Sequence, residues 1–101
     1  MNFENVTIDG DTAVVKVVGR YNLIKTLKIE DELKDALNQQ GCTKVLFDFS
    51  ETKYSDSACN RQLKKTRDSV GADNFKVVGA SGAVLRAFKT AKLDVLFGSV
   101  E

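Results

Sequence analysis

The sequence contains no histidine, no tryptophan and no proline, and it has only two cysteines. Without histidine it lacks the commonest general base, the Ser-His and Cys-His nucleophile pairs and the commonest metal ligand. Cys42 and Cys59 are too few for a thiolate zinc site, and they do not form a C-x-x-C redox pair. We therefore expect no catalytic residue, no metal and no cofactor, and two reduced, buried thiols as in cytosolic proteins.

Charge and hydropathy exclude further classes of protein. The formal net charge of the 101 residues is +1, whereas a nucleic-acid-binding domain is usually more basic. No apolar run approaches the roughly 18 to 20 residues that span a bilayer. The N-terminal residues are acidic and mixed, unlike a signal peptide. These features predict one soluble cytoplasmic domain that neither binds nucleic acid nor inserts into a membrane.

Glycines mark the turns and the ends of elements in the first half of the chain. Two β-prone runs, Phe3–Ile8 and Thr12–Val18, flank an Asp-Gly turn, which predicts a β-hairpin that ends at Gly19. The next residues, 20–26, are expected to form a connection. A helix is then predicted over Leu27–Gln40, with Thr26 as N-cap and Gly41 as the stop. Its inward stripe is expected to contain Leu27, Ile29, Leu33, Ala36 and Leu37.

The second half alternates between strands and helices. The continuous apolar run in residues 43–50 predicts a buried central strand. A helix from Asp56 to Gly71 follows, then a strand in residues 74–81, a helix capped by Ser81 and a short last strand over Leu93–Phe97. The third helix should turn Val84, Leu85, Phe88 and Ala91 inward. The fold class is therefore α/β, with a mixed four- to five-stranded sheet and the order β-β-α-β-α-β-α-(β).

Two loops offer weak candidate sites. Gly79-Ala80-Ser81-Gly82 lies between a strand and a helix, where free amides attract anions, but no phosphate-loop motif is present. This stretch is either a weak nucleotide-binding site or a plain turn with Ser81 as a helix cap. Asp48 and Asp56 flank the loop after the central strand. The two carboxylates either bind Mg²⁺ or are ordinary solvated charges of the loop.

The helix that follows Asp56 has two distinct faces. Cys59, Leu63, Thr66 and Val70 form a narrow inward stripe. The opposite face is expected in water, as either a partner-binding surface or an ordinary solvated face, and contains Ser57, Asn60, Arg61, Lys64 and Asp68.

Four stretches in this order resemble the STAS domain family, and within it the bacterial anti-sigma factor antagonists: VVKVVGRYN, KVLFDFSETKYSDSA, FKVVGAS and VLRAFKTAKLDVLF. The second stretch carries most of the information. The family pattern there is a hydrophobic strand, D-[LF]-S, a short loop and D-S-[ST]-G at a helix start. The Asp-Ser core is retained as Asp56-Ser57, whereas Ala58, Cys59 and Asn60 depart from the pattern, and Asn22 replaces a family aspartate.

The resemblance implies phosphorylation of Ser57 by a serine kinase that is also the anti-sigma factor, with a PP2C-type phosphatase as a possible further partner. The expected partner-binding residues are Asn22, Tyr54, Ser55, Asp56, Ala58, Asn60, Arg61 and Lys64. The first hypothesis is thus a partner-switching interaction module without catalysis. The second is a non-phosphorylated scaffold subunit of a stressosome-type or transporter complex, and the third is a small nucleotide-binding protein or enzyme.

Overall fold

Residues 4–90 are described in the computed structural model. They form six strands and three α-helices, with a 3₁₀ turn at Ala72–Asn74 before the last strand. The elements are β1 (Val6–Asp9), β2 (Thr12–Lys16), β3 (Gly19–Tyr21), α1 (Leu23–Asn38), β4 (Lys44–Asp48), β5 (Thr52–Ser55), α2 (Ser57–Val70), β6 (Phe75–Val78) and α3 (Gly82–Thr90).

The main sheet has four strands in the order β1-β2-β4-β6. β1 and β2 are antiparallel and pair Asp9 with Thr12 across a tight turn, in which Gly10 has a φ of +63° that favours glycine. β4 lies between β2 and β6 and is parallel to both. The mixed α/β sheet, the hairpin and the central position of the residue 43–50 strand are therefore as predicted.

The core lies between the sheet and the helices. Ala13, Val15 and Val17 are fully buried on one face of the β2 segment, as the alternation in the sequence predicted. A cluster of aromatic rings continues this layer, with centroid distances of 5.2 to 6.3 Å. Such rings contribute large apolar areas to the core, and the cluster contains Tyr21, Phe47, Phe49, Phe75 and Phe88.

The structure adds a small second sheet that the sequence did not predict. β3 and β5 form a parallel two-stranded sheet, in segments that were expected to be a connection and a polar loop. The predicted strand Thr12–Val18 ends at Lys16, and Gly19, expected to end it, instead begins β3. Both added strands are short and mostly polar in sequence, so they carry no apolar run or alternation that predicts a strand.

The first helix begins four residues earlier than predicted. Asn22 is its N-cap, and the side-chain oxygen accepts a hydrogen bond from the Lys25 amide at 3.0 Å. Thr26, the expected cap, lies inside the helix and its hydroxyl donates to the Leu23 carbonyl. Leu27, expected to face inward, is 56% exposed. Ile29, Leu33 and Ala36 are buried as predicted, Leu37 packs against the core from a partly buried position, and Thr26 completes the stripe. The helix ends at Asn38 with Gln39 as its C-cap, two residues before the predicted stop at Gly41.

The other two helices agree more closely with the sequence. Cys59 and Leu63 are fully buried, Thr66 is nearly so and Val70 is half-buried, which confirms the inward stripe of α2. Gly71 follows the last residue of that helix. In α3, Val84 and Phe88 are buried, and Leu85 packs against the core from a partly buried position. The predicted inward Ala91 and last strand lie outside the described residues.

A carboxylate on α1 fixes the start of the sheet. Glu32 accepts hydrogen bonds from the Asn5 backbone amide at 2.9 Å, the Asn5 side-chain amide at 2.8 Å and the Val6 amide at 3.2 Å. Asn5 is 7% exposed, and its carbonyl accepts from the Lys16 amide. Because buried amides without partners are costly, Glu32 stabilises the join between α1 and β1.

We expect Glu32→Ala to lower the free energy of unfolding by about 1–3 kcal/mol, because it leaves the buried amides of Asn5 and Val6 without acceptors. Urea denaturation followed by circular dichroism measures the change. Asp31→Ala, at the adjacent exposed acidic position, is the matched control and should change stability by no more than about 0.5 kcal/mol. Equal losses for the two variants would contradict this role of Glu32.

Candidate functional site

Two helix starts meet at one edge of the small sheet. β3 and β5 are parallel, with Tyr21 opposite Ser55. Each strand is separated from the next helix by a single residue, Asn22 after β3 and Asp56 after β5. The Asp56 amide donates to the Tyr21 carbonyl at 3.2 Å, so the pairing continues to the first turn of α2. Asn22 and Ser57, far apart in sequence, therefore lie at the same edge of the molecule.

Cys59 attaches the first turn of α2 to β3. Its thiol is completely buried and donates to the Tyr21 carbonyl, with the Asp56 carboxylate also in contact at 3.4 Å. Burial raises the pKa of this thiol to about 12, because the thiolate would be desolvated. Cys59 is therefore protonated and unreactive near neutral pH, and it acts as a structural donor at the position where the family pattern has glycine.

Gln62 forms a second link between the two helix starts. Its side-chain oxygen accepts a hydrogen bond from the buried Tyr21 hydroxyl, and its side-chain nitrogen donates to the Thr26 carbonyl at 2.7 Å. Burial raises the pKa of the Tyr21 hydroxyl well above its usual value, so the phenol is a donor at every physiological pH. The helical pattern did not predict this bridge, because Gln62 lies between the two faces of α2 that the pattern distinguishes.

The structure places the predicted partner-binding residues around this edge, with different exposures. Arg61 and Lys64 are exposed on α2, and Tyr54 is 49% exposed on β5. Ser55 is buried, at 9% exposure, so its side chain is not part of the outer surface. Of the remaining predicted residues, Asn22, Asp56 and Asn60 are half-buried, and Ser57 and Ala58 are the first two residues of α2.

Asp48, at the end of β4, is engaged within its own loop. Its carboxylate accepts from the Ser50 amide at 2.9 Å, and this bond is the main cause of its lowered pKa. Gly79 packs directly against the same turn, where an added Cβ would lie 2.6 Å from the Ser50 nitrogen. The first glycine of the Gly79–Gly82 turn is thus required by packing. In the described part of the chain, no three His, Cys, Asp or Glu side chains are grouped so that they could hold a metal ion.

Several large apolar side chains near the site are exposed, which the sequence prediction missed. Leu23 and Ile24, at the start of α1, are 58% and 67% exposed, and Leu27 follows one turn later. Val18, just before β3, is 57% exposed. The sequence contains a second apolar stripe on α1, at positions 23 and 27. It was missed because the helix was predicted to begin at Leu27, which left position 23 outside it. Exposed apolar groups of this size, close together, are typical of interaction surfaces.

Over residues 4–90, none of the helices combines the length and apolar character needed to cross a membrane.

Comparison with solved structures gives the same fold at low sequence identity. An anti-sigma factor antagonist from Mycobacterium paratuberculosis superposes with a TM-score of 0.78 at 22% identity, over 94% of this chain and 81% of the other. The Bacillus cell-fate determinant SpoIIAA in its phosphorylated form gives 0.70 at 15% identity, over 89% and 84%. SpoIIAA in its unphosphorylated form gives 0.67 at 14% identity, over 91% and 94%.

Comparison of sequences identifies the family directly. No curated protein matches the chain significantly. The family model of the STAS domain, in contrast, matches residues 3–101, which is nearly the whole sequence. Together with the mixed sheet and the strand-to-helix order, this match shows that the chain belongs to the STAS domain family.

Proposed function

We propose that this STAS domain is an anti-sigma factor antagonist-like interaction module of a bacterial partner-switching system, controlled by phosphorylation of Ser57. Its partner is a kinase-type anti-sigma factor or a related regulator. The observation that carries the proposal is the placement of Ser57 as the first residue of α2, at the edge where α1 also begins. The module acts in the cytoplasm by binding, without catalysis of its own, and a PP2C-type phosphatase would restore the unmodified form.

The fold tolerates a phosphate at this position. A phosphoserine adds about −1.5 to −2 charges, and helix N-termini stabilise anions by about 0.3–1 kcal/mol. The first turn of α2 contains no acidic residue, and the nearest carboxylate in sequence is that of Asp56, directly before the helix. The buried contacts of Cys59 and Gln62 attach this turn to β3 and α1. Phosphorylation is therefore expected to leave the domain folded.

A bound partner would tolerate the phosphate less well. Leaving one charge unpaired within a protein interface costs about 2–5 kcal/mol, which outweighs the small gain at the helix end. The exposed cations Arg61 and Lys64 lie on the same face of α2 and favour an acidic partner surface, which Lys65 would also help to attract. The unmodified form thus binds and the modified form releases.

The structural relatives support the mechanism by analogy. SpoIIAA has been solved in both an unphosphorylated and a phosphorylated form, and this chain superposes on each with a similar TM-score, 0.67 and 0.70. Both forms of SpoIIAA therefore share the fold of this chain.

The alternative is a STAS scaffold subunit, of a stressosome-type or transporter complex, that is never phosphorylated. The sequence after the serine favours it, since Ala58, Cys59 and Asn60 replace the family pattern and Cys59 has a buried structural contact. Intact-mass measurement of the protein from its native cells separates the two functions, because a gain of one phosphate excludes the purely passive scaffold.

We expect Ser57→Ala to retain the partner in a pull-down from native cells and Ser57→Asp to lose it, because only the second variant places a charge at the helix start. Quantitative mass spectrometry of the recovered proteins measures the difference. Ser81→Asp is the matched control, since Ser81 is an exposed serine directly before α3, and it should behave as the wild type. Equal recovery of the same partner by both Ser57 variants would disprove the switch.

We also expect an acidic group at position 57 to interact with Arg61, one helical turn later. In a double-mutant cycle of Ser57→Asp and Arg61→Gln, urea denaturation should give a favourable coupling of about 0.3–0.5 kcal/mol, typical of an i,i+4 ion pair. Lys64→Gln is the control, because Lys64 lies two turns from position 57 and should show no coupling. A coupling as large for Lys64 as for Arg61 would indicate a general charge effect instead.

A further inference from the structure

A groove of about 700 Å³ runs between α1 and α2, beside the switch edge. On the α1 side its wall is mainly leucine, and on the α2 side it is polar and basic. The residues that shape it are Leu23, Leu27 and Leu37 from α1, and Arg61, Gln62 and Thr66 from α2. It extends along most of α1, since Leu23 and Leu37 are separated by about 21 Å at 1.5 Å per residue.

The leucines of the groove are exposed to a degree that folding does not explain. Leu23 and Leu27 are 58% and 56% exposed and stand one turn apart on the same side of α1. The helix already buries another stripe in the core, through Ile29 and Ala36. The second apolar stripe therefore has no partner within residues 4–90, and covering it would remove apolar surface from water at about 25 cal/mol per Å².

The charges around the groove are mainly positive. Lys65 reaches from α2 to Glu30 on α1, with the Lys65 ammonium 2.9 Å from the carboxylate. This ion pair lowers the pKa of Glu30, so the carboxylate stays ionised and its charge is balanced by the Lys65 ammonium. Lys34 also lines the groove, and its charge contributes to lowering the pKa of Glu30. Arg61 lines the groove as well and forms no ion pair with a described residue. Three cations thus face one carboxylate, and an occupant with negative charge is favoured.

The geometry points to an amphipathic helix with an acidic polar face as the occupant of this groove: we infer that a partner protein binds here through such a helix. A concave surface between two helices accepts the apolar stripe of a third helix, whereas an added strand needs a free sheet edge. Packing this groove against the same groove of a second copy would bring like charges together, which is unfavourable. Binding at the groove does not require phosphorylation of Ser57, so the inference goes beyond the proposed switch.

The test uses a designed peptide helix of about 15 residues, roughly four turns, with leucines on one face and glutamates on the other. Its binding to the ¹⁵N-labelled protein is followed by NMR chemical-shift titration. We expect shifts confined to amides of α1 and α2, and an affinity that falls as salt is added. Leu27→Asp and Lys34→Glu should each weaken binding by about tenfold or more. Both positions are exposed, so the variants should fold.

Matched controls separate the groove from the switch and from general charge effects. Arg86→Glu reverses an exposed cation on α3 and should bind the peptide as the wild type does. Ser57→Asp should weaken binding by no more than about twofold, through its i,i+4 pairing with Arg61. The inference is overturned if a peptide with lysine in place of glutamate binds equally well, or if the shifts map to another surface. It is also overturned if the acidic peptide does not bind, and the groove variants instead abolish self-association of the protein. The same holds if the peptide does not bind and the variants abolish binding to anionic lipid vesicles.

Discussion

Tyr21 is the residue on which the rest of the structure depends. Its ring belongs to the aromatic cluster of the core, with centroids 5.5 Å from Phe49 and 6.3 Å from Phe47. Its hydroxyl is bound by Gln62, and its carbonyl accepts both the Cys59 thiol and the Asp56 amide. The main core, the small sheet and the first turn of α2 are thus joined through one residue. Buried polar groups that satisfy one another in this way specify a unique arrangement.

This arrangement explains how a modified helix start can coexist with a stable fold. The contacts that hold α2 come from its inner side, where Cys59 and Leu63 are fully buried. The outer face contains Arg61 and Lys64, which are exposed. Cys59 departs from the family glycine, but the thiol satisfies the Tyr21 carbonyl, which a glycine side chain cannot do. The departure at Cys59 is therefore accounted for by this buried hydrogen bond.

The sequence predicted the features that depend on regular apolar patterns and on turn residues. The buried run of β4, the hairpin before it and the inward stripe of α2 all follow from alternation, turn chemistry and helical spacing. It did not predict β3 and β5, because their pairing depends on a parallel partner distant in sequence. The start of α1 was misplaced because Thr26 resembles a cap as closely as Asn22 does, and the error turned Leu27 inward. Ser57 was identified by family resemblance, whereas the bridge through Gln62 could be recognised only in the structure.

Arg61 belongs to both proposed surfaces, and magnitudes decide how strongly it can couple them. It is four residues from Ser57 on one face of α2, and it also lines the groove with Leu23 and Leu27. Drawing its guanidinium toward a phosphate would remove one of the groove's cations, yet an exposed i,i+4 pair is worth only about 0.3–0.5 kcal/mol. That energy changes an equilibrium by roughly twofold, whereas a phosphate buried in an interface costs about 2–5 kcal/mol. Under the two proposals, a phosphate on Ser57, the first residue of α2, would therefore release one partner while the groove still binds another.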